Sequence, residues 1–165
     1  MASATPPAAN PTERQPAARA VAPMRVAVVG AGHMGAALGR AWARHGHEVT
    51  FSYARDRAKL DRLAHDAGAG ARSSTPAEAV NGADAVLVAV PWHRLDDALA
   101  QAGPLDGRLV LSCSLPMLAD DSALALGHTT SGAEALAERT GARVVSALPM
   151  SSSAAGGFMD GLLMY

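Results

Sequence analysis

Three glycines in the stretch Gly30-Ala31-Gly32-His33-Met34-Gly35 carry the densest chemical signal in the sequence. In a G-x-G-x-x-G pattern the first glycine permits a tight turn, the second lets the backbone approach a ligand, and the third lets a helix pack closely on a strand. Amides at the start of such a helix lack intrahelical partners and sit at the positive end of its dipole. Gly30, Ala31, Gly32, His33, Met34 and Gly35 are therefore expected to hold an anionic diphosphate. A turn of the same spacing that has lost its ligand is the competing reading. His33 either contacts phosphate and the neighbouring pocket or faces solvent.

About 20 residues past the first glycines, a site for an unphosphorylated ribose usually places a carboxylate to bind the 2′-hydroxyl. Here the sequence reads Phe51-Ser52-Tyr53-Ala54-Arg55, with no acid at that point. Ser52 can donate a hydrogen bond to a 2′-phosphate, and Arg55 can pair with it and stack on adenine. Lys59, one turn on, adds charge. The expected ligand is thus NADP(H) rather than NAD(H), with a merely solvated Arg55 as the alternative. Asp56 is assigned to a helix start, where a carboxylate favours the dipole. Cys113 is read as a buried strand residue and Trp42 as core packing. His93 is read as a surface histidine at a helix start, ahead of a proton donor or pocket wall. No catalytic residue is assigned and no metal site is expected.

The elements that must position these residues follow from periodicity. Arg25–Val29 is a short apolar run ending at Gly30, as in a buried strand. Met34, Ala37, Leu38, Ala41 and Trp42 form one apolar helical stripe, stopped near His45 with Gly46 as the left-handed cap. Glu48–Ser52 reads as a second strand. Leu60, Leu63, Ala64 and Ala67 mark a second helix, and a short third strand falls near Ala71–Ser73. Thr75-Pro76-Ala77-Glu78 is a capping box with proline at the first helical position. Ala83–Val90 reads as a fourth strand, and Leu95, Ala98, Leu99 and Ala102 mark the next helix. Arg108–Cys113 is a fifth strand, and Ser131-Gly132-Ala133-Glu134 opens a helix through about Thr140. Arg143–Leu148 is a sixth strand, while 115–130 has no clear pattern. Strands alternating with helices imply an α/β fold with a doubly wound parallel sheet, a Rossmann domain of order 3-2-1-4-5-6.

Composition bounds the function classes. The chain has 165 residues, enough for one domain with a real core; 49% are hydrophobic and 18% charged. A net charge of −1 speaks against nucleic acid as a partner. The single cysteine excludes an internal disulfide and suits a reducing cytosol, so a cytoplasmic location is expected. No run approaches the ~18 apolar residues of a membrane span, so no membrane partner is expected. Residues 1–23 read as a disordered tail, 24–150 as an NADP-binding Rossmann domain, and 151–165 as a linker with a shortened C-terminal segment. Met24 stands directly before the first strand, where translation could begin.

Four stretches together resemble the NADPH:deazaflavin oxidoreductases, the coenzyme F420-dependent NADP reductases. They are Gly30–Gly35, the Ser52/Arg55 segment, Val88-Ala89-Val90-Pro91-Trp92-His93, and Val144-Val145-Ser146-Ala147-Leu148. The resemblance runs from about Met24 to Leu148, and its most distinctive part is the Pro91-Trp92 pair. It implies hydride transfer between NADPH and a deazaflavin co-substrate, coenzyme F420. It also implies that Gly30–Gly35 bind the diphosphate, Ser52 and Arg55 the 2′-phosphate, and that Val90 and Pro91 lie beside the nicotinamide ribose. Ser52 and Arg55 stand further apart here than the adjacent Ser-Arg of the family. The family continues past strand six with helices that complete the second cofactor's pocket and help form a dimer. This chain is therefore expected to have its substrate domain truncated or absent. The readings carried forward are an NADPH oxidoreductase acting on a deazaflavin or a small carbonyl or imine, a non-catalytic NADP(H)-binding module or remnant, and a regulatory subunit that dimerises on an exposed edge strand. The expected partner is a small-molecule substrate, with a homodimer left open because the sequence does not give the oligomeric state.

Overall fold

Valine-rich runs too short for helices become strands. The computed structural model describes residues 22–68, 70–127 and 129–146. The strands are β1 (Arg25–Val29), β2 (Glu48–Ser52), β3 (Ala71–Ser73), β4 (Ala85–Val88), β5 (Leu109–Ser112) and β6 (Arg143–Ser146). They form one sheet of order β3-β2-β1-β4-β5-β6, every neighbouring pair parallel. Between them run α1 (His33–Arg44), α2 (Arg57–Ala67), α3 (Pro76–Val80), α4 (Leu95–Ala102) and α5 (Gly132–Thr140). A 3-10 turn, Trp92–Arg94, precedes α4. This is the doubly wound order expected from the alternation of elements.

The sheet divides the core because successive side chains of a strand point to opposite faces. On one face Ala27 and Val29 of β1 join Val86 and Val88 of β4 beneath Leu95 and Leu136 from α4 and α5. On the other, Val28 joins Val49, Phe51 and Leu87 beneath Leu38 of α1 and Leu63 of α2. All four residues of β4 are buried, as a central parallel strand covered on both faces should be. Each fully buried Val or Leu contributes roughly 1.5–3 kcal/mol. Trp42 is half-buried against the second cluster.

Local sequence sets the helix starts. Asp56 caps α2, its carboxylate accepting from the Ala58 N–H at 2.9 Å. Thr75 with Glu78 and Ser131 with Glu134 form reciprocal capping boxes on α3 and α5. Backbone N–H groups of Thr75 and Ser131 hold the Glu78 and Glu134 carboxyls below the usual glutamate range.

Two strands are shorter than their apolar runs. β4 begins at Ala85, not Ala83, because Asp84 turns out to accept from the Arg25 N–H at 2.8 Å and pair with its guanidinium at 3.0 Å. It ends at Val88, before Val90 and Pro91 swing out of the ladder. β5 begins at Leu109, since the Arg108 N–H closes a turn onto Leu105 O, and it ends at Ser112. β6 is described to Ser146; Ala147 and Leu148 lie outside the described residues, as do the 151–165 segment and residues 1–21 of the expected tail. The stretch without a clear pattern contains an isolated antiparallel bridge between Met117 and Leu124.

Gly39 lies in mid-α1 directly under the Phe51 ring, so a Cβ there would collide with that ring. Glycine to alanine inside a helix ordinarily stabilises by about 0.5–1 kcal/mol. Here the sign reverses: Gly39→Ala is expected to destabilise by about 1–3 kcal/mol, measured as a lower urea midpoint at unchanged m-value.

Candidate functional site

The order of the sheet reverses between β1 and β4, and the connections leaving their carboxyl ends diverge there. Such a switch point opens a crevice. It measures about 500 Å³ and is bounded by the glycine turn, by Tyr53–Asp56 after β2, and by Ala89–Pro91 and α4.

Each glycine of the turn has its own reason to be there. Gly30 has φ +114°, a conformation that L side chains rarely adopt, and a Cβ there would strike the Ala89 carbonyl. Its N–H donates to Ser52 O at 3.0 Å, stitching the turn to β2. At Gly35 a Cβ would overlap the Gly30 carbonyl, so the helix can descend onto the turn only without one. Gly32 is different: nothing lies within 4 Å of the place a Cβ would take, and that open side belongs to the crevice.

Gly32 is also the N-cap of α1, with no side-chain cap and no acidic residue in the first turn. By contrast, α2 has Asp56, α3 Glu78, α4 Asp96 and Asp97, and α5 Glu134. The start of α1 thus offers bare amides and a positive dipole end to the crevice, which is the electrostatic form of an anion site.

At the β2 side, Arg55 and Lys59 line the same crevice and both are exposed. Ser52 departs from expectation. It is wholly buried, and its hydroxyl donates to Val28 O at 3.0 Å. As the last residue of β2 it still follows the pleat, which turns its side chain into the protein and away from any phosphate in the crevice. Asp56 caps α2 and lies 3.5 Å from the Arg62 guanidinium.

Val90 and Pro91 form the opposite lip, and the Ser114 hydroxyl donates to Val90 O at 2.7 Å. A second cavity of about 310 Å³ adjoins across Gly32 and Pro91. His33, Met34, Trp92, Cys113 and Met117 line it. His33 begins α1 and is exposed, and His93, also exposed, borders both cavities. Trp92 is pinned from behind by Arg139 of α5, whose guanidinium lies 5.6 Å from the ring centroid and pairs with Asp96 at 2.9 Å.

Cys113 also departs from expectation. It lies just past the end of β5, half-buried and lining the second cavity rather than inside a strand. Burial pushes its thiol up to about 11. The residues that sequence reasoning missed are Tyr53, on the β2 side of the crevice, and Asp97 and Gln101 of α4, on the side opposite. Tyr53 stood in the sequence as a spacer between Ser52 and Arg55, and an Asp and Gln four apart on a helix carry no distinctive signal. Among the described residues no group of three or more His, Cys, Asp or Glu is placed to hold a metal, and no helix is long and apolar enough to cross a membrane.

Residues 25–116 match the family model described as NADP oxidoreductase, coenzyme F420-dependent. No curated protein matches the chain. Among solved structures, a candidate F420-dependent NADP-reductase from Arthrobacter sp. FB24 superposes with a TM-score of 0.68 at 24% identity, over 79% of this chain and 65% of that one. The hypothetical protein SMa0349 from Sinorhizobium meliloti gives 0.67 at 24% identity, over 80% of this chain and 64% of that one. A reductive aminase from Aspergillus terreus, in complex with NADPH and ethyl levulinate, gives 0.53 at 22% identity, over 74% and 39%. The chain therefore spans just under two-thirds of the length of the first two.

The raised thiol pKa makes a chemical prediction. Thiolate is the alkylating form, so Cys113 at pH 8 is expected to react with iodoacetamide about 10- to 100-fold more slowly than free cysteine. The rate should still be climbing at pH 10, followed by mass spectrometry of the native protein.

Proposed function

This chain belongs to the family of coenzyme F420-dependent NADP oxidoreductases, and from that membership and the form of its crevice we propose that it binds NADP(H) and serves hydride transfer to or from a second, smaller-pocketed partner. The observation that carries the reading is the uncapped, acid-free start of α1 facing the open side of Gly32. A diphosphate fits there by charge and by space. The first-turn amides of α1 receive it, with Gly30 and Ala31 shaping the turn and His33 and Met34 at its edge. Arg55 and Lys59 pair with the 2′-phosphate, a task in which Ser52 takes no part because its hydroxyl is spent on Val28.

At the other lip Val90 and Pro91 border the ribose of the nicotinamide. The nicotinamide, when bound, supplies or accepts the hydride. The protein's own work is to fix position and exclude water, which accounts for much of the rate in such transfers. Met34, Trp92 and Met117 give the second cavity apolar walls suited to that exclusion. A protonated Cys113 adds no charge to it. The acceptor is a deazaflavin, as the family description supports, with a small carbonyl or imine as the alternative suggested by the aminase of similar fold.

Calorimetric titration with NADPH and NADH, followed by an absorbance assay with a deazaflavin, tests this reading; no saturable affinity for either nucleotide would end it. Arg55→Ala is expected to weaken NADPH about tenfold or more while changing NADH less than about twofold. Equal losses would remove Arg55 from the 2′-phosphate site. Gly32→Asp separates binding from folding. An N-cap aspartate suits the extended backbone of Gly32 (φ −75°, ψ −167°), so stability should hold or rise by a few tenths of a kcal/mol. Its carboxylate would meet the diphosphate, so NADPH affinity should fall more than about tenfold.

A further inference from the structure

Tyr53 combines three features that the binding scheme above leaves unused. It has φ +58°, a left-handed conformation that a bulky aromatic residue adopts only under constraint. It rests on the core cluster of Ala27, Val29 and Val88, yet it also lines the crevice. Its hydroxyl crosses to the opposite lip, donating to the Asp97 carboxylate at 2.6 Å, with Arg94 O at 3.5 Å. Asp97 is a hub on that lip: it also accepts from the Gln101 amide at 3.2 Å and lies 3.7 Å from the Arg94 guanidinium. The hydroxyl of Tyr53, then the Gln101 amide, hold the Asp97 carboxyl below the usual aspartate range, so it is a charged acceptor at neutral pH.

We propose that Tyr53, tethered to Asp97, is the platform on which the purine ring of the bound nucleotide stacks. This assignment rests on the NADP(H) reading above and concerns its adenine end. Arg55 and Lys59 lie on the same side of the crevice as Tyr53, so the phosphate-bearing ribose and its base share this region. An aromatic face offers stacking to a flat base, and the Gln101 amide offers both a donor and an acceptor to its edge. The tether fixes the ring before the ligand arrives, so little freedom is lost on binding. The strained backbone is offset by the core packing and the Asp97 bond.

Two half-ligands test the assignment: 2′,5′-ADP, which carries the purine and the 2′-phosphate, and reduced nicotinamide mononucleotide, which carries neither. Tyr53→Gly relieves the positive φ, so lost binding cannot be blamed on backbone strain. It is expected to weaken 2′,5′-ADP and NADPH by the same factor, at least about fivefold, and to leave the mononucleotide within about twofold. Tyr53→Phe keeps the ring and loses the tether, and should recover most of the loss. Unchanged 2′,5′-ADP binding in Tyr53→Gly, or equal losses for both half-ligands, would overturn the assignment alone. Tighter binding would overturn it too, showing the ring to be a plug. Wild-type protein that bound neither NADPH nor either half-ligand would overturn the nucleotide reading and the platform together.

Discussion

The first turn of α1 carries partial positive charge that no residue of its own offsets. Every other helix of the described fold brings an acid to its start. Keeping α1 bare, with glycine at the N-cap, has a stability cost of roughly a few tenths of a kcal/mol relative to an aspartate there, and it leaves the helix end uncompensated. The neighbouring geometry keeps that end open. Gly30 and Gly35 let turn and helix interlock, and Gly30 and Ala31 spend their N–H groups on Ser52 and Tyr53, at 3.0 and 3.4 Å. The turn is thereby rigid while the amides beyond it stay open.

Around this point the sheet does two separate tasks. β1 and β4 are buried on both faces and give the crevice an apolar, immobile floor. The segments that leave β2 and β4 supply the walls: Tyr53 to Lys59 after β2, Val90 to Asp97 after β4. The Tyr53–Asp97 bond joins these walls. The bond sets the separation of the walls at that side of the opening, whereas the other side widens into the cavity around Met34 and Trp92.

How far the sequence disclosed this follows from the range of the interactions involved. Local signals were legible. The alternation of Val-rich runs with 3.6-periodic stripes yields the strand order, and the capping boxes at Thr75 and Ser131 appear where their spacing puts them. The glycine turn was legible because each glycine answers a contact within a few residues of the turn or on the adjoining strand. Strand ends were less so, since Asp84 leaves β4 for a partner 59 residues away. Ser52 was misread for a related reason: whether its hydroxyl faces solvent or sheet depends on Val28, which composition does not reveal. Tyr53 and Asp97, 44 residues apart, meet only once the crossover between β1 and β4 has formed. Cys113 was read as buried from its apolar neighbours, but the strand stops one residue before it.

Trp92 owes its position to α5, a helix on the same face of the sheet but 40 residues further along the chain. Arg139, near the end of α5, stacks on the indole and grips Asp96, and Gly132, at the start of α5, leaves room for the ring edge at 3.3 Å from where a Cβ would stand. The Pro91–Arg94 segment is consequently not a portable module. Transplanted into another scaffold of this topology without a cation and a glycine on the corresponding helix, it would arrive with the right letters and the wrong shape. Any lineage that reshapes the second cavity by altering Trp92 has to renegotiate α5 as well.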